Sequence, residues 1–243
     1  RTKKDLQNRP RSDILIKKTS CNCADLPGHQ IPPSVNLFAK VTKGCNAHCA
    51  FCSNAGCQSP TSLFDIEKMI RIIYELKSKG IIVNRMNITG GEPSVVSPLV
   101  VRILDAIDKE HFDDVHLHLN TNGVTMQAQD LMQHPRWDSI SMSLHHYDVN
   151  RLSDLYGCEI PAHLLHFTGV DKQKINFSCN LIKGYIDNKE EVRKMLDLTL
   201  DTGIRRIGFV ALMPVNSFCK EHFIDIDDIP FAEIPHVYFT GAK

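Results

Sequence analysis

Residues 35–52, VNLFAKVTKGCNAHCAFC, contain the pattern that decides the fold. The stretch opens with a predicted strand at 35–41 and runs directly into a polar, turn-rich loop that carries Cys45, Cys49 and Cys52. The chain has nine cysteines, an odd number, and three of them form this tight group. That usage argues against the disulfide framework of a secreted protein and indicates metal or redox chemistry.

The remainder of the chain repeats the same order of strand followed by helix. Further strands are predicted at residues 85–88, 116–119, 137–144, 175–182 and 206–213. Helices are predicted at residues 62–79, 98–108, 125–133, 161–166 and 189–202, with Gly203 where a helix C-cap is expected. No hairpin turn joins two of these strands, so we expect parallel pairing with right-handed crossovers. The predicted fold is α/β, a partial (β/α)6 TIM-like barrel with an open six-stranded parallel sheet.

Three regions follow from this pattern. Residues 1–34 are predicted to form a polar N-terminal extension, residues 35–216 the core barrel, and residues 217–243 an irregular, acidic C-terminal segment. Because the chain starts at Arg1 and not at Met, we expect the native N-terminus to be missing. The basic residues of the extension lack an apolar segment behind them, so the extension is not a secretory signal.

Charge and hydropathy exclude several partners. Lys plus Arg and Asp plus Glu both total 28, and no basic stripe is interleaved with aromatic residues. The sequence therefore predicts neither nucleic-acid binding nor attraction to an anionic membrane. No apolar run reaches the length that spans a bilayer, and we expect a cytoplasmic protein.

The cysteine loop permits two kinds of metal site. Structural zinc takes four ligands, and Cys57 or His48 would supply the fourth. A [4Fe-4S] cluster has four irons, each normally held by one cysteine, so three cysteines leave one iron open to a substrate or cofactor. The alternative to an enzyme is therefore a non-catalytic zinc or iron–sulfur binding module.

Other polar groups follow the predicted strands at their carboxyl ends, where βα barrels place their chemistry. Gly90-Gly91-Glu92-Pro93 follows the second strand, and Asn120-Thr121-Asn122-Gly123 follows the third. Ser143 and His145 close the fourth strand. Adjacent glycines let the backbone approach a ligand closely. His145 is expected either to contact a ribose, to act as an acid or base near pH 7, or to be a structural histidine that bonds a backbone group.

The three cysteines, the aromatic Phe51 before the last of them, and the Gly-Gly-Glu-Pro turn together resemble the radical S-adenosylmethionine (SAM) superfamily. The resemblance runs in order from about residue 35 to residue 215. It implies that Cys45, Cys49 and Cys52 bind a [4Fe-4S] cluster whose open iron is chelated by SAM. It also implies that Gly90, Gly91 and Glu92 contact the methionine amino group and that Phe51 lies near the adenine.

Within that superfamily, the pattern is similar to the subgroup that contains the GTP 3′,8-cyclase of molybdenum cofactor synthesis. This similarity adds further SAM contacts, namely Asn120, Asn122, Ser143, His145, Leu212 and Met213. Asn180, near the end of the fifth strand, is a further expected contact. His145 stands where the cyclase has Asp, and the cyclase's C-terminal cysteine triplet is not visible, so identity with that enzyme is rejected.

The resemblance implies a mechanism and partners. One electron enters SAM through the cluster, methionine leaves, and a 5′-deoxyadenosyl radical abstracts a hydrogen atom from the substrate. The substrate is predicted to be a peptide or a small molecule of a biosynthetic pathway. The electron is expected to come from a reductant such as flavodoxin or ferredoxin.

Several other residues carry weaker expectations. Cys219 lies just past the sixth strand, so a second, auxiliary cluster is one interpretation of residues 217–243; Cys21, Cys23 or residues beyond the chain would have to complete it. Cys179 alternates within a strand and is predicted to lie in the core. His116 and His118 are expected on one face of the third strand, in a core or supporting role.

Overall fold

A computed structural model describes residues 32–54, 61–62 and 64–234. Cys21, Cys23 and Cys57, and most of the predicted N-terminal extension, lie outside these residues. The described part contains one six-stranded parallel sheet in the order β1-β2-β3-β4-β5-β6. The strands are β1 Ser34–Lys40, β2 Ile82–Thr89, β3 His116–Thr121, β4 Ser139–Ser143, β5 Ile175–Leu181 and β6 Ile207–Ala211. The predicted α/β fold, an open partial TIM-like barrel, is confirmed, and β1 and β6 form its two edges.

Six α-helices accompany the strands. They are α1 Ile66–Ser78, α2 Ser97–Lys109, α3 Met126–Met132, α4 Val149–Tyr156, α5 Lys189–Asp201 and α6 Ser217–Glu221. Most begin at a side chain that caps the first turn. Asp65 accepts a hydrogen bond from the Lys68 amide, and Asn188 accepts bonds from the two amides that follow Lys189. Gly203 lies just past the end of α5 with φ +80°, a conformation that favours glycine at this place.

The two faces of the sheet differ sharply in polarity. Met86, Leu117, Ile140 and Phe177 point to the helix side and are completely buried in one hydrophobic core. Their neighbours along each strand point to the concave side and are polar, as the side-chain period of two requires. Cys179 is completely buried in the same core, so its predicted position is confirmed.

Two predictions outside the sheet are wrong. Residues 161–166 form a turn and not a helix, because their amides bond three residues back (Leu164 to Pro161, His166 to His163) and no second turn follows. The helix of this crossover is α4, which Asp148 caps through the amides of Asn150 and Arg151. The segment predicted to be irregular after β6 contains α6 and short 3-10 turns at Ile226–Asp228 and Phe231–Glu233.

None of the helices in the described ranges combines the length and the apolar character that crossing a bilayer requires. The division of the chain at residues 34 and 216 stays a prediction.

Candidate metal and cofactor site

A cavity of about 390 Å³ opens at the carboxyl ends of the strands, beside the cysteine loop. This volume lies in the range of pockets that hold small molecules. The predicted site residues that line it are Cys45, Cys49, Phe51, Cys52, Gly91, Glu92, Asn120, Asn122, Ser143, His145, Asn180, Leu212 and Met213. Gly90 is the predicted residue that does not line it. A larger cavity of about 810 Å³ lies between β1 and α1, and its described lining contains no cysteine.

The three cysteines of the loop are half-buried, and backbone amides donate to two of their sulfurs. The Ala47 amide lies 3.4 Å from the Cys45 sulfur, and the Asn54 amide lies 3.4 Å from the Cys52 sulfur. Burial, with the neighbouring thiols, raises the pKa of Cys49 to about 12. Three adjacent thiolates are therefore unfavourable without cations, and metal ligation supplies those cations.

The fit of this donor set to a metal group rests on its chemistry. Among the described residues, no three His, Cys, Asp or Glu side chains are grouped closely enough to ligate one metal ion. Three thiols around a cavity, with amide donors to two sulfurs, suit a cluster that spreads its ligands over several irons. Residues Cys45, Cys49 and Cys52 therefore fit a [4Fe-4S] cluster.

Two helices that the sequence did not predict hold the cysteine loop in place. The His48 amide donates to the Tyr156 carbonyl at 2.7 Å, at the end of α4, and the Ala50 amide donates to the carbonyl one residue earlier at 3.1 Å. On the other side, the Asn216 side-chain amide donates to the Ala50 carbonyl at 3.0 Å. The loop is thus attached through its backbone to both α4 and the start of α6.

Cys219, which the sequence placed at the start of a second cluster, lies in this attachment. Its side chain is completely buried, and its thiol donates to the Phe51 carbonyl at 3.6 Å. Cys158, beside α4, is half-buried and lies near Cys45 and Cys49, since each of those thiols interacts electrostatically with it. The auxiliary cluster stays a prediction.

The two adjacent glycines after β2 pack against the backbone of the cysteine loop. A Cβ atom on Gly91 would lie 2.0 Å from the Gly44 carbonyl oxygen, and one on Gly90 would lie 2.5 Å from the Thr42 carbonyl oxygen. The Gly91 amide donates to that Thr42 oxygen at 3.0 Å, and the Glu92 amide donates to the Gly44 oxygen at 2.8 Å. The close approach that the sequence attributed to a ligand is thus required first by the protein's own backbone.

Glu92 joins the turns after β2 and β3. One carboxylate oxygen accepts the Thr121 hydroxyl at 2.7 Å and the Ser94 amide at 3.0 Å, and the other accepts the Asn122 amide at 2.7 Å. Burial raises the pKa of Glu92, and these three hydrogen bonds oppose that rise. The carboxylate therefore fixes the Asn122 backbone at the cavity wall. The side-chain amide of Asn122 donates a hydrogen bond to the side-chain oxygen of Asn46 in the cysteine loop at 2.9 Å.

His145 is a buried hydrogen-bonding group with a fixed tautomer. Its Nδ1 atom accepts the Asn180 backbone amide at 2.9 Å, so the neutral ring carries its proton on Nε2. Burial lowers the pKa of His145 to about 3, so the ring is neutral at physiological pH. The interpretation as a histidine that bonds a backbone group is confirmed by the Asn180 amide. The lowered pKa argues against acid–base action near pH 7, because the ring is enclosed by Phe51 and Tyr156, whose ring centroids lie at 4.6 Å and 5.7 Å.

Tyr156 and Ser178 are two of the cavity residues that escaped the sequence interpretation. Tyr156 is buried, lines the cavity, and donates its hydroxyl to the Ser143 carbonyl at 2.7 Å. It lies at the end of α4, a helix that the sequence did not predict, so its place in the cavity was not predicted either. Ser178 also lines the cavity, and its alternation with buried Phe177 and Cys179 was the sequence signal that would have identified it.

Comparison with known proteins agrees with this geometry. The model of the radical SAM superfamily matches residues 39–214. A probable GTP 3′,8-cyclase of Saccharolobus solfataricus is 26% identical over 204 residues, which cover 81% of this chain and 63% of that protein. The chain thus spans less than two thirds of the length of this curated relative.

Two solved structures share the fold at low identity. Streptococcus suis SuiB bound to S-adenosylmethionine superposes with a TM-score of 0.59 at 18% identity, over 78% of this chain and 43% of that one. The enzyme anSMEcpe with bound AdoMet and the Cp18Cys peptide gives a TM-score of 0.55 at 15% identity, over 75% and 52% of the two chains. Because the family model covers most of the chain, including the cysteine loop and all six strand ends, the chain belongs to the radical SAM superfamily of enzymes.

Proposed function

We propose that this chain binds a [4Fe-4S] cluster through Cys45, Cys49 and Cys52, binds SAM in the adjoining cavity, and cleaves SAM reductively to start a radical reaction on a biosynthetic substrate. The observation that supports the proposal most directly is the single cavity of about 390 Å³ that the three cysteines share with Glu92 and the polar strand ends. When bound, the cluster supplies one electron to the sulfonium, so that the S–C5′ bond breaks to give methionine and the 5′-deoxyadenosyl radical that abstracts a substrate hydrogen atom.

The residues of the chain bind and orient the cofactor in this proposal. Gly90, Gly91 and Glu92 form the turn that receives the methionine amino group, and Glu92 has carboxylate lone pairs left beyond its three internal bonds. The turn is rigid because it is bonded to the cysteine loop through two backbone hydrogen bonds. Rigid placement of SAM relative to one substrate hydrogen is the main contribution that the protein makes to the rate.

The adenosine part of SAM is assigned to the opposite wall of the cavity. Phe51, Leu212 and Met213 provide apolar surface for the adenine there. Ser143, Asn120, Asn122 and Asn180 provide hydrogen-bonding groups for the ribose and carboxylate. His145 contributes a donor at Nε2, because its Nδ1 atom is occupied by the Asn180 amide.

The proposal names the substrate and the electron donor only by chemical class. The solved anSMEcpe structure holds a peptide beside AdoMet, and the curated relatives are named as GTP cyclases, so a peptide and a small molecule both have precedents among the similar proteins. A one-electron reductant such as flavodoxin or ferredoxin is the expected donor.

The proposal is tested by anaerobic reconstitution with iron and sulfide, reduction with dithionite, and addition of SAM. We expect about four irons per chain and the formation of 5′-deoxyadenosine and methionine, measured by mass spectrometry. The Cys49→Ala variant is expected to lose iron and SAM cleavage together. Wild-type protein that binds four irons and SAM but forms no 5′-deoxyadenosine under any reductant would contradict the proposed chemistry.

A matched cysteine variant separates the cluster from the alternative zinc module. Cys57→Ala removes the thiol that would complete a four-ligand zinc site, but it leaves the three cluster cysteines in place. We expect this variant to keep its iron and its SAM cleavage. Isolation of the wild-type chain with one zinc, lost in Cys57→Ala, would support the zinc module instead.

A further inference from the structure

The concave face of the four central strands of the sheet is polar. The inward-pointing residues of β2, β3, β4 and β5 are Arg85, Asn87, Thr89, His116, His118, Asn120, Ser139, Ser141, Ser143, Asn176, Ser178 and Asn180. Closed βα barrels fill these positions with branched apolar side chains that pack in layers. The four central strands instead present hydrogen-bonding groups at these positions, and such a surface is suited to water or to a polar ligand.

Internal hydrogen bonds occupy only part of this face. The Ser139 hydroxyl lies 2.7 Å from His116 Nε2 and 2.7 Å from His118 Nδ1. Since the hydroxyl has one proton, it donates to one ring and accepts from the other. Asn176 donates to the Ser141 hydroxyl at 2.7 Å. These bonds hold the middle of the face in place.

Arg85 is the charged residue of this polar surface, and a strand irregularity aims it there. Val35 pairs with Val83 but Asn36 pairs with Arg85, so β2 carries one extra residue, Asn84, at this point. Such bulges redirect side chains and occur next to functional sites. Through this shift Arg85 faces inward beside His116, its partner on β3, while the next residue enters the core.

The guanidinium of Arg85 forms no ion pair with a carboxylate in the described residues. Asp138, the carboxylate that acts on the neighbouring His116, is itself paired with Arg136. No hydrogen bond links the guanidinium of Arg85 to another residue of the described part. The inward positions of the six strands include no Asp or Glu. The positive charge of Arg85 acts on the two neighbouring histidines. Burial is the main cause that lowers the pKa of His118 to about 4 and also lowers the pKa of His116, and the charge of Arg85 is the second cause for both. A half-buried arginine among neutral donors is a recognition group for an anion.

We propose that the substrate is a small polar molecule with a carboxylate or phosphate group, and that Arg85 binds this group on the concave face. The inference rests on the proposed function and specifies its substrate class. Arg85 lies four residues before Thr89, the strand end that borders the SAM cavity. Four residues of a strand span about 13 Å, so the backbone of Arg85 lies about that far along the strand from the border of the SAM cavity.

The test is a titration of the reconstituted, SAM-bound protein at constant pH 7.5 and constant ionic strength. The ring resonances of His116 and His118 report binding, with inorganic phosphate and succinate as separate probes and chloride as the ionic-strength control. We expect a saturable shift of His116 with at least one probe. A response to phosphate alone would assign a phosphoryl group, and a response to succinate alone a carboxylate.

Variants of Arg85 decide whether the arginine carries the effect. Arg85→Gln is expected to weaken anion binding at least tenfold. Arg85→Lys is expected to weaken anion binding less, because lysine keeps the charge but cannot form the two parallel hydrogen bonds of a guanidinium. Arg71→Gln, on the exposed side of α1, is the matched control and is expected to bind as the wild type does. If the glutamine variant fails to fold, the lysine variant still tests the inference.

Two results would overturn the inference. One is the absence of a saturable shift with both probes in the wild type. The other is unchanged anion affinity in folded Arg85→Gln or Arg85→Lys. Formation of 5′-deoxyadenosine by the wild type is measured separately, so failure of the anion site and failure of the SAM chemistry are distinguishable.

Discussion

The substitution Gly91→Ala separates two roles of the glycine turn, packing against the cysteine loop and approach to a ligand. A Cβ atom there would lie 2.0 Å from the Gly44 carbonyl oxygen and 2.7 Å from the Lys43 carbonyl oxygen, where real Cβ atoms keep about 3.0 Å or more. All of the atoms that it meets are backbone, so no side-chain rotation relieves the contact. The loop or the turn must therefore move by about 1 Å.

Movement of that size breaks the two backbone hydrogen bonds that join the turn to the loop. Each bond contributes about 1 kcal/mol, and overpacking of a tight site adds about 1–3 kcal/mol. We therefore expect Gly91→Ala to lower the free energy of unfolding by about 3–5 kcal/mol. The assay is urea unfolding of the cluster-free chain without SAM, followed by iron content after reconstitution.

The matched control is Gly208→Ala on β6, where a Cβ atom would meet nothing within 4 Å. The free energy of unfolding of this variant is expected to lie within about 0.5 kcal/mol of the wild-type value. If Gly91→Ala is equally stable and loads iron normally, the packing argument is refuted, and the glycine serves the ligand alone.

Three further predictions concern the surroundings of the cavity. The lowered pKa of His145 means that the folded state binds a proton at this ring less readily than the unfolded state, so the stability is fully present above about pH 6.5 and falls as the pH drops towards 3, by at most about 1.4 kcal/mol per pH unit. The urea midpoint should therefore fall less steeply between pH 7 and 5 in His145→Gln than in the wild type. Equal slopes would contradict the assignment. Asn216→Ala should lower the free energy of unfolding by about 1–2 kcal/mol, because the side chain both caps α6 and bonds the cysteine loop. The variant should also release iron to a chelator faster than the wild type. Asn188→Ala, which removes the cap of α5 alone, should lose similar stability without faster iron release. Tyr156→Phe should lower the free energy of unfolding in urea by about 1–2 kcal/mol, because it leaves the part-buried Ser143 carbonyl at the end of β4 without its donor. An unchanged urea midpoint would show that this hydrogen bond does not stabilise the fold.

The parts of the fold that the sequence predicted are those that depend on local periodicity. Every strand has an apolar alternation or run, and the cysteine spacing and the Gly90-Gly91 turn are contiguous in the chain. Helix α4 was missed because it is only eight residues long, although Asp148 caps its start and Gly157 ends it. Its buried face consists of Leu152, Leu155 and Tyr156. Residues 161–166 carry similar signals but only one turn of bonded backbone, so sequence alone did not separate the two.

The properties of the site that the sequence did not predict are set by distant contacts. The protonation of His145 depends on its enclosure by aromatic rings from the cysteine loop and α4. The buried thiol of Cys219 bonds the Phe51 carbonyl, which lies far away along the chain. Glu92 was assigned to a ligand, yet its oxygens are largely occupied by the turn after β3. Such roles appear only when the chain is folded.

The absence of pairing between β1 and β6 in the described residues has a consequence for how molecules enter. An eight-stranded closed barrel has an interior just wide enough for its own side chains, and a ligand reaches its mouth only along the axis. In the described residues the six-stranded sheet instead has two edge strands that do not pair with each other, and they carry the exposed side chains Phe38 and Val210. An approach between these two edges would bring a small ligand to the concave face from the side, whereas a closed barrel would admit it only along the axis.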